Sequence, residues 1–378
     1  MPLYAGLMSG TSLDGIDVAF VRFEGRDERP TEAGLASFHS YAYDAAFRDR
    51  LRRACESGGP EELCRVDFEL GRRFAAALAR ALAEAGLSAS DVAAAGCAGQ
   101  TVWHDPPTAN HPGSTLQLGE GAVIAEETGI TVVEDFRVRD VAAGGHGAPI
   151  SAYFDHLLLA SPERARGILN LGGMGNLTAL PAGGADSTPV AFDTGPGVVL
   201  VDAAAQRLSG GRLRFDEDGR LAAAGAALPD AVEDWLDDPF FSQAPPRTTG
   251  RERFGPTRLE AWLEERLARG DGSGDLLASL TEVTAAAAAK ALEWVPFEVD
   301  ELYLCGGGAR NPELARRIAA RVAPRPVSPL EALGWDGDAR EAAAFALLAR
   351  QHLLGHPAGV PWATGARGPR LLGKTVPA

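Results

Sequence analysis

Residues 3–23 read LYAGLMSGTSLDGIDVAFVRF: an apolar run, a break at Ser9-Gly10-Thr11-Ser12, then Asp14-Gly15 and a second run rich in apolar residues. Strand, Gly/Ser/Thr/Asp turn and return strand is the signature of a hairpin. The arrangement recurs about 160 residues further on. There, 167–171 (GILNL) reads as a strand, Gly172-Gly173-Met174-Gly175-Asn176 as a glycine turn and 177–180 as the return. A third strand, 189–192, runs into Asp193-Thr194-Gly195-Pro196-Gly197. This is an echo of topology rather than of letters, and it predicts two similar halves. Mixed strands and helices in two halves predict an α/β protein with a cleft between lobes.

Between and beyond these units the pattern alternates. Apolar residues at helical spacing (Leu63, Phe68, Leu70, Phe74, Leu78, Leu82) predict a helix over 61–85. A buried strand over 92–97 feeds a loop at Gly99-Gln100-Thr101, and shorter strands are expected at 114–118 and 131–134. The glycine-rich stretch 142–149 reads as a hinge or a ligand loop. After Gly197 a helix runs through Val201, Ala205 and Leu208, and a long alanine-rich helix covers 276–294. A strand over 301–305 then enters Gly306-Gly307-Gly308, followed by a helix opening at Asn311-Pro312-Glu313. The last helix spans about 338–354, and the Gly/Pro-rich tail reads as a surface segment.

The 378 residues exceed one ordinary core and suit two domains. With 46% hydrophobic and 23% charged residues, disorder is a poor description. The formal charge of −15, with scattered basic residues, argues against nucleic-acid binding. Cys55, Cys64, Cys97 and Cys305 form no CxxC pair and read as free thiols of a reducing compartment. The first residues lack a basic and apolar leader, and no apolar run is long enough to span a bilayer. The expectation is a soluble cytoplasmic protein that binds neither membrane nor nucleic acid.

Several stretches offer chemistry beside a plainer reading. In 368–375, GPRLLGKT fits a phosphate-loop string, but the chain ends three residues later, so the required helix cannot follow. The loop from Ser9 to Asp17 is richer: small residues let amides approach an anion, and Asp14 or Asp17 would suit a hydrated Mg²⁺. The plainer reading is a tight turn whose polar side chains satisfy its own backbone. Gly306-Gly307-Gly308 would let a nucleotide lie close, or would simply open a helix. Asp193, at a strand end before a glycine turn, suits a general base, or equally a helix N-cap. Gln100, Thr101 and His104 follow a strand, where ligand contacts often lie. Arg137 and Arg139 would pair with a ligand carboxylate or with surface acids. His352 and His356 lack acidic or thiol partners, so no protein-ligated metal site is expected.

Taken together these strings resemble the anhydro-N-acetylmuramic acid kinase family, a branch of the sugar-kinase, heat-shock-protein-70 and actin superfamily. The matching blocks run in order: GLMSGTSLDGID at 6–17, GQTVWHDP at 99–106, FRVRDVAAGGHGAP at 136–149, NLGGMGN at 170–176 and FDTGPG at 192–197. TTGRERF at 248–254, CGGGARNP at 305–312, EAAAFALLA at 341–349 and ATGA at 363–366 complete the series. The resemblance implies two actin-like, ribonuclease H-like domains with an interdomain ATP and substrate cleft: one from 1–140 plus 340–378, the other from 141–339. It implies ATP and Mg²⁺, with phosphates at Ser9, Gly10, Thr11, Ser12, Asp14 and Asp17 and at Gly172, Gly173, Asn176 and Gly195. Adenosine is implied at Gly306, Gly307, Gly308 and Asn311, the catalytic base at Asp193, and sugar contacts at Gln100, Thr101, Arg137 and Glu341. The implied reaction opens 1,6-anhydro-N-acetylmuramic acid with water and phosphorylates oxygen 6, giving N-acetylmuramic acid 6-phosphate and ADP in peptidoglycan recycling. A homodimer is compatible with the resemblance. This chain departs from the family pattern at Val198 (usually Asn), His146 (usually Gln) and Ala98 (commonly His), which bears on the sugar more than on the reaction. The alternatives are a kinase of another anhydrosugar such as levoglucosan, or a non-enzymatic ATP switch of the actin or chaperone kind.

Overall fold

The computed structural model describes residues 1–10, 12–108, 110–184, 187–245, 247–251 and 253–378. The chain folds as two compact units, Met1–Leu158 with Gly334–Ala378, and Leu159–Leu333. The second is thus an insertion in the sequence of the first.

In the first unit, β1 (Leu3–Ser9), β2 (Gly15–Glu24) and β3 (Glu32–Ala42) form an antiparallel meander. β4 (Val92–Asp105) lies parallel to β1, and β6 (Val132–Glu134) parallel to β4. β5 (Ser114–Leu118) folds back on the far half of β4, and β12 (Lys374–Val376) pairs antiparallel with β6. The apolar residues of β1 and β2 explain why they are central: Leu7, Val18 and Phe20 are fully buried. The helix Pro60–Ala85 has Pro at its first turn and ends on Gly86 in the left-handed region, both standard boundary devices. It buries Leu70, Phe74 and Leu78. A second helix, Arg340–Leu354, approaches the sheet unusually closely. A Cβ on Gly6 would stand 1.8 Å from the Ala342 carbonyl oxygen, and one on Gly96 would stand 2.1 Å from that of Phe345. Small residues on both surfaces, including Ala342, Ala346 and Ala349, make that approach feasible.

The second unit repeats the plan. β7 (Arg166–Leu171), β8 (Met174–Leu180) and β9 (Val190–Pro196) form an antiparallel meander. β10 (Glu301–Cys305) is parallel to β7, and β11 (Val327–Pro329) parallel to β10. The order β9-β8-β7-β10-β11 therefore matches β3-β2-β1-β4-β6 in sequence and strand sense. The expected α/β class and the repeated ribonuclease H-like plan are both present. The alanine-rich helix Ser273–Leu292 packs Ala285, Ala288 and Ala291 into the core that includes Leu169, Leu177 and Phe192.

Two segments differ from the sequence reading. β4 does not end at Cys97 but continues to Asp105, because β5 supplies a ladder that extends it. Gln100 and Thr101 are accordingly strand residues rather than loop residues. The tail is not merely a surface crossing: Leu372 is buried and Lys374–Val376 joins the sheet. That pairing also shows why 368–375 is no phosphate loop, since its lysine enters a strand opposite Glu134. Among the described residues, no helix is long and apolar enough to cross a membrane.

Candidate active site

In the second unit three glycine segments converge. The turn between β7 and β8 presents the carbonyls of Gly172 and Gly173. These accept hydrogen bonds from the amides of Val198 (2.9 Å) and Gly197 (2.9 Å), at the start of the helix Val199–Leu208. A Cβ on Gly197 would meet the Gly172 oxygen at 2.1 Å, so only glycine lets the two turns lock together. Gly308, behind them, faces the Val198 side chain and the Leu171 carbonyl, and Gly306 faces Asn170. The result is a backbone-lined cradle, the kind of surface that admits phosphate oxygens or a nucleotide without side-chain obstruction. Gly173 is exposed and Gly172, Asn176 and Gly306 are half-buried, while Gly195 is buried against Phe241. Gly307 is exposed. The Asn311 side chain is engaged otherwise: it caps the helix Pro312–Val322 by accepting from the Leu314 amide at 3.0 Å.

Asp193 stands on β9, directly opposite Asn176 on β8, which in turn faces Asn170 on β7. Cross-strand partners project on the same face, so a polar row Asn170, Asn176, Asp193 ends at the glycine cradle. The ladder shifts register between Gly175 and Asn176, a bulge that re-aims the strand end next to Asp193. The capping alternative does not hold, because the following helix begins at Val199 with Val198 at its N-cap and no side-chain cap. Instead the Asp193 carboxylate accepts a hydrogen bond from the Thr249 amide (2.9 Å). Its backbone pairs with Arg247 in both directions: its amide donates to the Arg247 carbonyl, and Arg247 Nε donates to the Asp193 carbonyl, each at 3.1 Å. Arg247 is 5% exposed, its guanidinium set between Phe192 and Phe240. Burial depresses its affinity for the proton, and the Asp193 charge counteracts that. Sequence reasoning passed over Arg247; the only available signal was its place before the TTGRERF block.

In the first unit, Ser9 is buried at the end of β1. Its hydroxyl donates to Gln100 Oε1 (2.7 Å), with the Gly15 carbonyl at 3.1 Å and the Tyr43 hydroxyl at 2.9 Å. Gln100 is fully buried and also donates to the Thr101 carbonyl (3.3 Å). Ser9 and Gln100 thus form one buried network that ties β1, β2 and β4 behind the turn. Burial pushes the Tyr43 hydroxyl well above its ordinary pKa, so it stays protonated there. Ser12 and Asp14 are exposed, and Leu13 holds a φ of 58°, a left-handed backbone uncommon for leucine. Gly10 lies in the same turn, its carbonyl accepting from Leu13, and Asp17 faces Met8 across the β1–β2 ladder. Thr11 lies outside the described residues.

Arg137, Thr101 and Glu341 all belong to this unit. Arg137 donates to the Gly147 carbonyl at 2.8 Å. Burial lowers its pKa while the charges of Glu341, then Asp140, raise it, so Glu341 lies within electrostatic reach. Glu341 opens the helix Arg340–Leu354. Asp140, 1% exposed, accepts from the Gly147 amide (2.8 Å) and the Thr364 hydroxyl (2.9 Å), fixing the glycine loop. His146 is held by its amide to the Thr364 carbonyl. Burial, then Arg137 and His146, lower the pKa of His104, which therefore stays neutral near pH 7. Thr101 receives a long hydrogen bond from Gln117 (3.4 Å).

Two units of one plan, each carrying a glycine-rich turn at the first hairpin, define a nucleotide-using α/β protein of the kinase kind. The family model of anhydro-N-acetylmuramic acid kinase matches residues 2–378. Relatives bearing that description include one from Gloeobacter violaceus, 42% identical over 380 residues and covering 100% of this chain and 99% of the relative. Another, from Chromohalobacter salexigens, is 43% identical with 99% of each chain covered. A third, from Caldanaerobacter subterraneus subsp. tengcongensis, is 39% identical, covering 98% and 96%. Among solved structures, the chain is similar to component A of Acidaminococcus fermentans (R)-2-hydroxyglutaryl-CoA dehydratase. That likeness has a TM-score of 0.49 and 11% identity over 93% of this chain and 98% of the other. The chain belongs to the anhydro-N-acetylmuramic acid kinase family. It is an enzyme, a kinase that draws its phosphoryl group from ATP.

Proposed function

We propose that the enzyme opens 1,6-anhydro-N-acetylmuramic acid with water and phosphorylates its oxygen 6, with Asp193 as general base. The observation that carries this assignment is the Asp193 carboxylate, held by the Thr249 amide at a strand end beside the glycine cradle. The substrate has no free hydroxyl on carbon 6, so phosphorylation requires the bridge to break. Water attacks carbon 1 and gives its proton to Asp193; the C1–O6 bond breaks, and its electron pair forms the O6–P bond to the γ-phosphorus. The P–O bond to the β-phosphate breaks in turn, and ADP leaves. The phosphoryl group thereby stabilises the departing oxygen as an acid does in a glycosidase. The products are N-acetylmuramic acid 6-phosphate and ADP.

The glycine turns at Gly172–Gly173, Gly195 and Gly306–Gly308 fit a nucleotide because their backbone approaches leave no room for side chains at Gly197 and Gly306. Gly10 and Ser12 would offer further donors to phosphate. Asp14 and Asp17 suit a hydrated Mg²⁺, which would neutralise charge on the transferring phosphoryl group. Thr101, Arg137 and Glu341 would hold the sugar, Arg137 by its lactyl carboxylate, a group levoglucosan lacks. An ATP-fed reaction and free cysteines suit a cytoplasmic location.

Asp193→Asn tests the reading. Turnover should fall by about 10² or more while the KM for ATP is kept; near-normal turnover would remove Asp193 from the role. With the wild-type enzyme in ¹⁸O water, mass spectrometry should find the label at carbon 1 of the product.

A further inference from the structure

Four side chains on the hairpin of β4 and β5 form a line of hydrogen bonds that ends at His104. Thr101 lies opposite Gln117 and Trp103 opposite Leu116, so Val102 is an extra residue on β4. A bulge of this kind shifts the alternation of side chains beyond it. Thr101 and His104 therefore share a face with Gln117 and Thr115, while Trp103 turns to the other face and donates its indole N–H to Ser114 at 3.2 Å. Gln117 Nε2, which can only donate, reaches Thr115 Oγ1 (2.8 Å) and Thr101 Oγ1 (3.4 Å). The Thr115 hydroxyl lies 3.0 Å from His104 Nδ1 and 3.4 Å from the Trp103 carbonyl, and the shorter bond directs its hydrogen to the imidazole. The proton of the neutral ring is thereby assigned to Nε2. His104 is exposed, and its Nε2 makes no hydrogen bond among the described residues. A Cβ built on Gly147 would stand 3.4 Å from His104 Cε1 and 3.5 Å from Arg137 Cβ, so this glycine lies against both residues. Arg137 and His146 act on the ring as positive neighbours, and no carboxylate is bonded to it. An open N–H beside a guanidinium matches the two oxygens of a carboxylate.

We propose that His104 is a substrate-binding residue whose Nε2–H shares the lactyl carboxylate of the sugar with Arg137, the imidazole being held in place by Thr115 and Gln117. This rests on the reading of Arg137 as the partner of that carboxylate. One N–H of Arg137 is already engaged by the Gly147 carbonyl (2.8 Å), which fixes the guanidinium and leaves fewer of its donors for a ligand. The imidazole supplies another from the neighbouring strand. Two donors from separate elements fix the direction of the carboxylate as well as its position, and so select a sugar acid over a neutral anhydrosugar.

The test is steady-state kinetics of the full chain with ATP, Mg²⁺ and 1,6-anhydro-N-acetylmuramic acid for His104→Asn, His104→Gln and Arg137→Gln. Asparagine keeps a polar atom near Nδ1 to meet Thr115 but has nothing at the Nε2 position, where glutamine places its amide nitrogen. His104→Asn should raise the KM for the sugar by about 10-fold or more, with the KM for ATP unchanged. His104→Gln should return to within about 3-fold of wild type, a rescue that packing alone would not produce. The neutral control is 1,6-anhydro-N-acetylglucosamine, which lacks the lactyl group; as a competitive inhibitor it should act equally on wild type and His104→Asn. Should asparagine loosen the hairpin and lower the melting temperature, His104→Phe must show the same loss for the sugar acid. A wild-type sugar KM in His104→Asn overturns the proposal, as does His104→Gln being no better than His104→Asn. An equal loss for the acid and the neutral sugar overturns it too. A raised sugar KM in Arg137→Gln beside an unchanged one in His104→Asn sinks this inference alone, whereas an unchanged KM in Arg137→Gln sinks the placement of the carboxylate at Arg137 as well.

Discussion

Gly197 admits no side chain, since a Cβ would stand 2.1 Å from the Gly172 carbonyl oxygen. Gly197→Ala must push the β7–β8 turn away from the helix start, an overpacking cost of about 1–3 kcal/mol. The expected outcome is a lower melting temperature together with weaker ATP binding in calorimetry, because the displaced turn belongs to the proposed nucleotide cradle. Unchanged affinity would separate the cradle from the nucleotide. Arg247 makes a different prediction. Lysine keeps the charge but not the planar fork that reaches the Asp193, Phe240 and Gln243 carbonyls. Arg247→Lys should lose about 2 kcal/mol of stability, the scale of hydrogen bonds from a charged group. Its kcat should fall while the KM for ATP holds. Denaturant titration and initial rates measure the two effects.

Within the first unit, the helix Arg340–Leu354 is tied at its start. Arg340 and Asp155, 2% and 0% exposed, form a two-pronged ion pair, Nε to Oδ1 at 2.7 Å. Trp335 stacks edge-on against Phe154 beside it. Removing one partner strands a buried charge, so Asp155→Ala should destabilise the protein by about 3–5 kcal/mol. Because Glu341 is the next residue, the KM for the sugar should rise in that variant even where the fold survives. Legibility in the sequence follows from what each element buries. β1, β7 and the helix Pro60–Ala85 were readable because uninterrupted or 3.6-spaced apolar residues meet a core. β3 was not: in EAGLASFHSYA every residue is half-buried or exposed, so no alternation marks a strand. The far half of β4 reads as loop because none of residues 101–105 is buried in the core, and only the returning β5 makes them a strand. At the site, the glycine turns and Asp193 stood out by composition. The bonds of Ser9 to Gln100 and of Thr249 to Asp193 did not, since each joins residues far apart in sequence. Arg247 sits among prolines and a glycine that read simply as a connection.

Across the molecule as a whole, acidity is stored as well as displayed. Burial, then the neighbouring charge of Glu120, raise Glu134 to a pKa of about 7 from an ordinary 4.5. A carboxyl that binds its proton more tightly when folded stabilises the fold while protonated in both states, and that contribution is lost as pH rises through the folded pKa. Urea denaturation should therefore show stability declining between about pH 4.5 and pH 7, and Glu134→Gln should flatten that slope. A slope unchanged in the glutamine variant would assign it to other groups. The division of the chain has a consequence for biosynthesis. Residues 159–333 are contiguous and carry their own sheet and core, so they can fold while still attached to the ribosome. The N-terminal strands cannot finish in the same way. The helix Arg340–Leu354, which must settle onto Gly6 and Gly96, is translated only after all of the inserted residues. The first segment to be made is thus the last to be completed, and a chain truncated after residue 333 should hold a protease-resistant second half beside an unfinished, cleavable beginning.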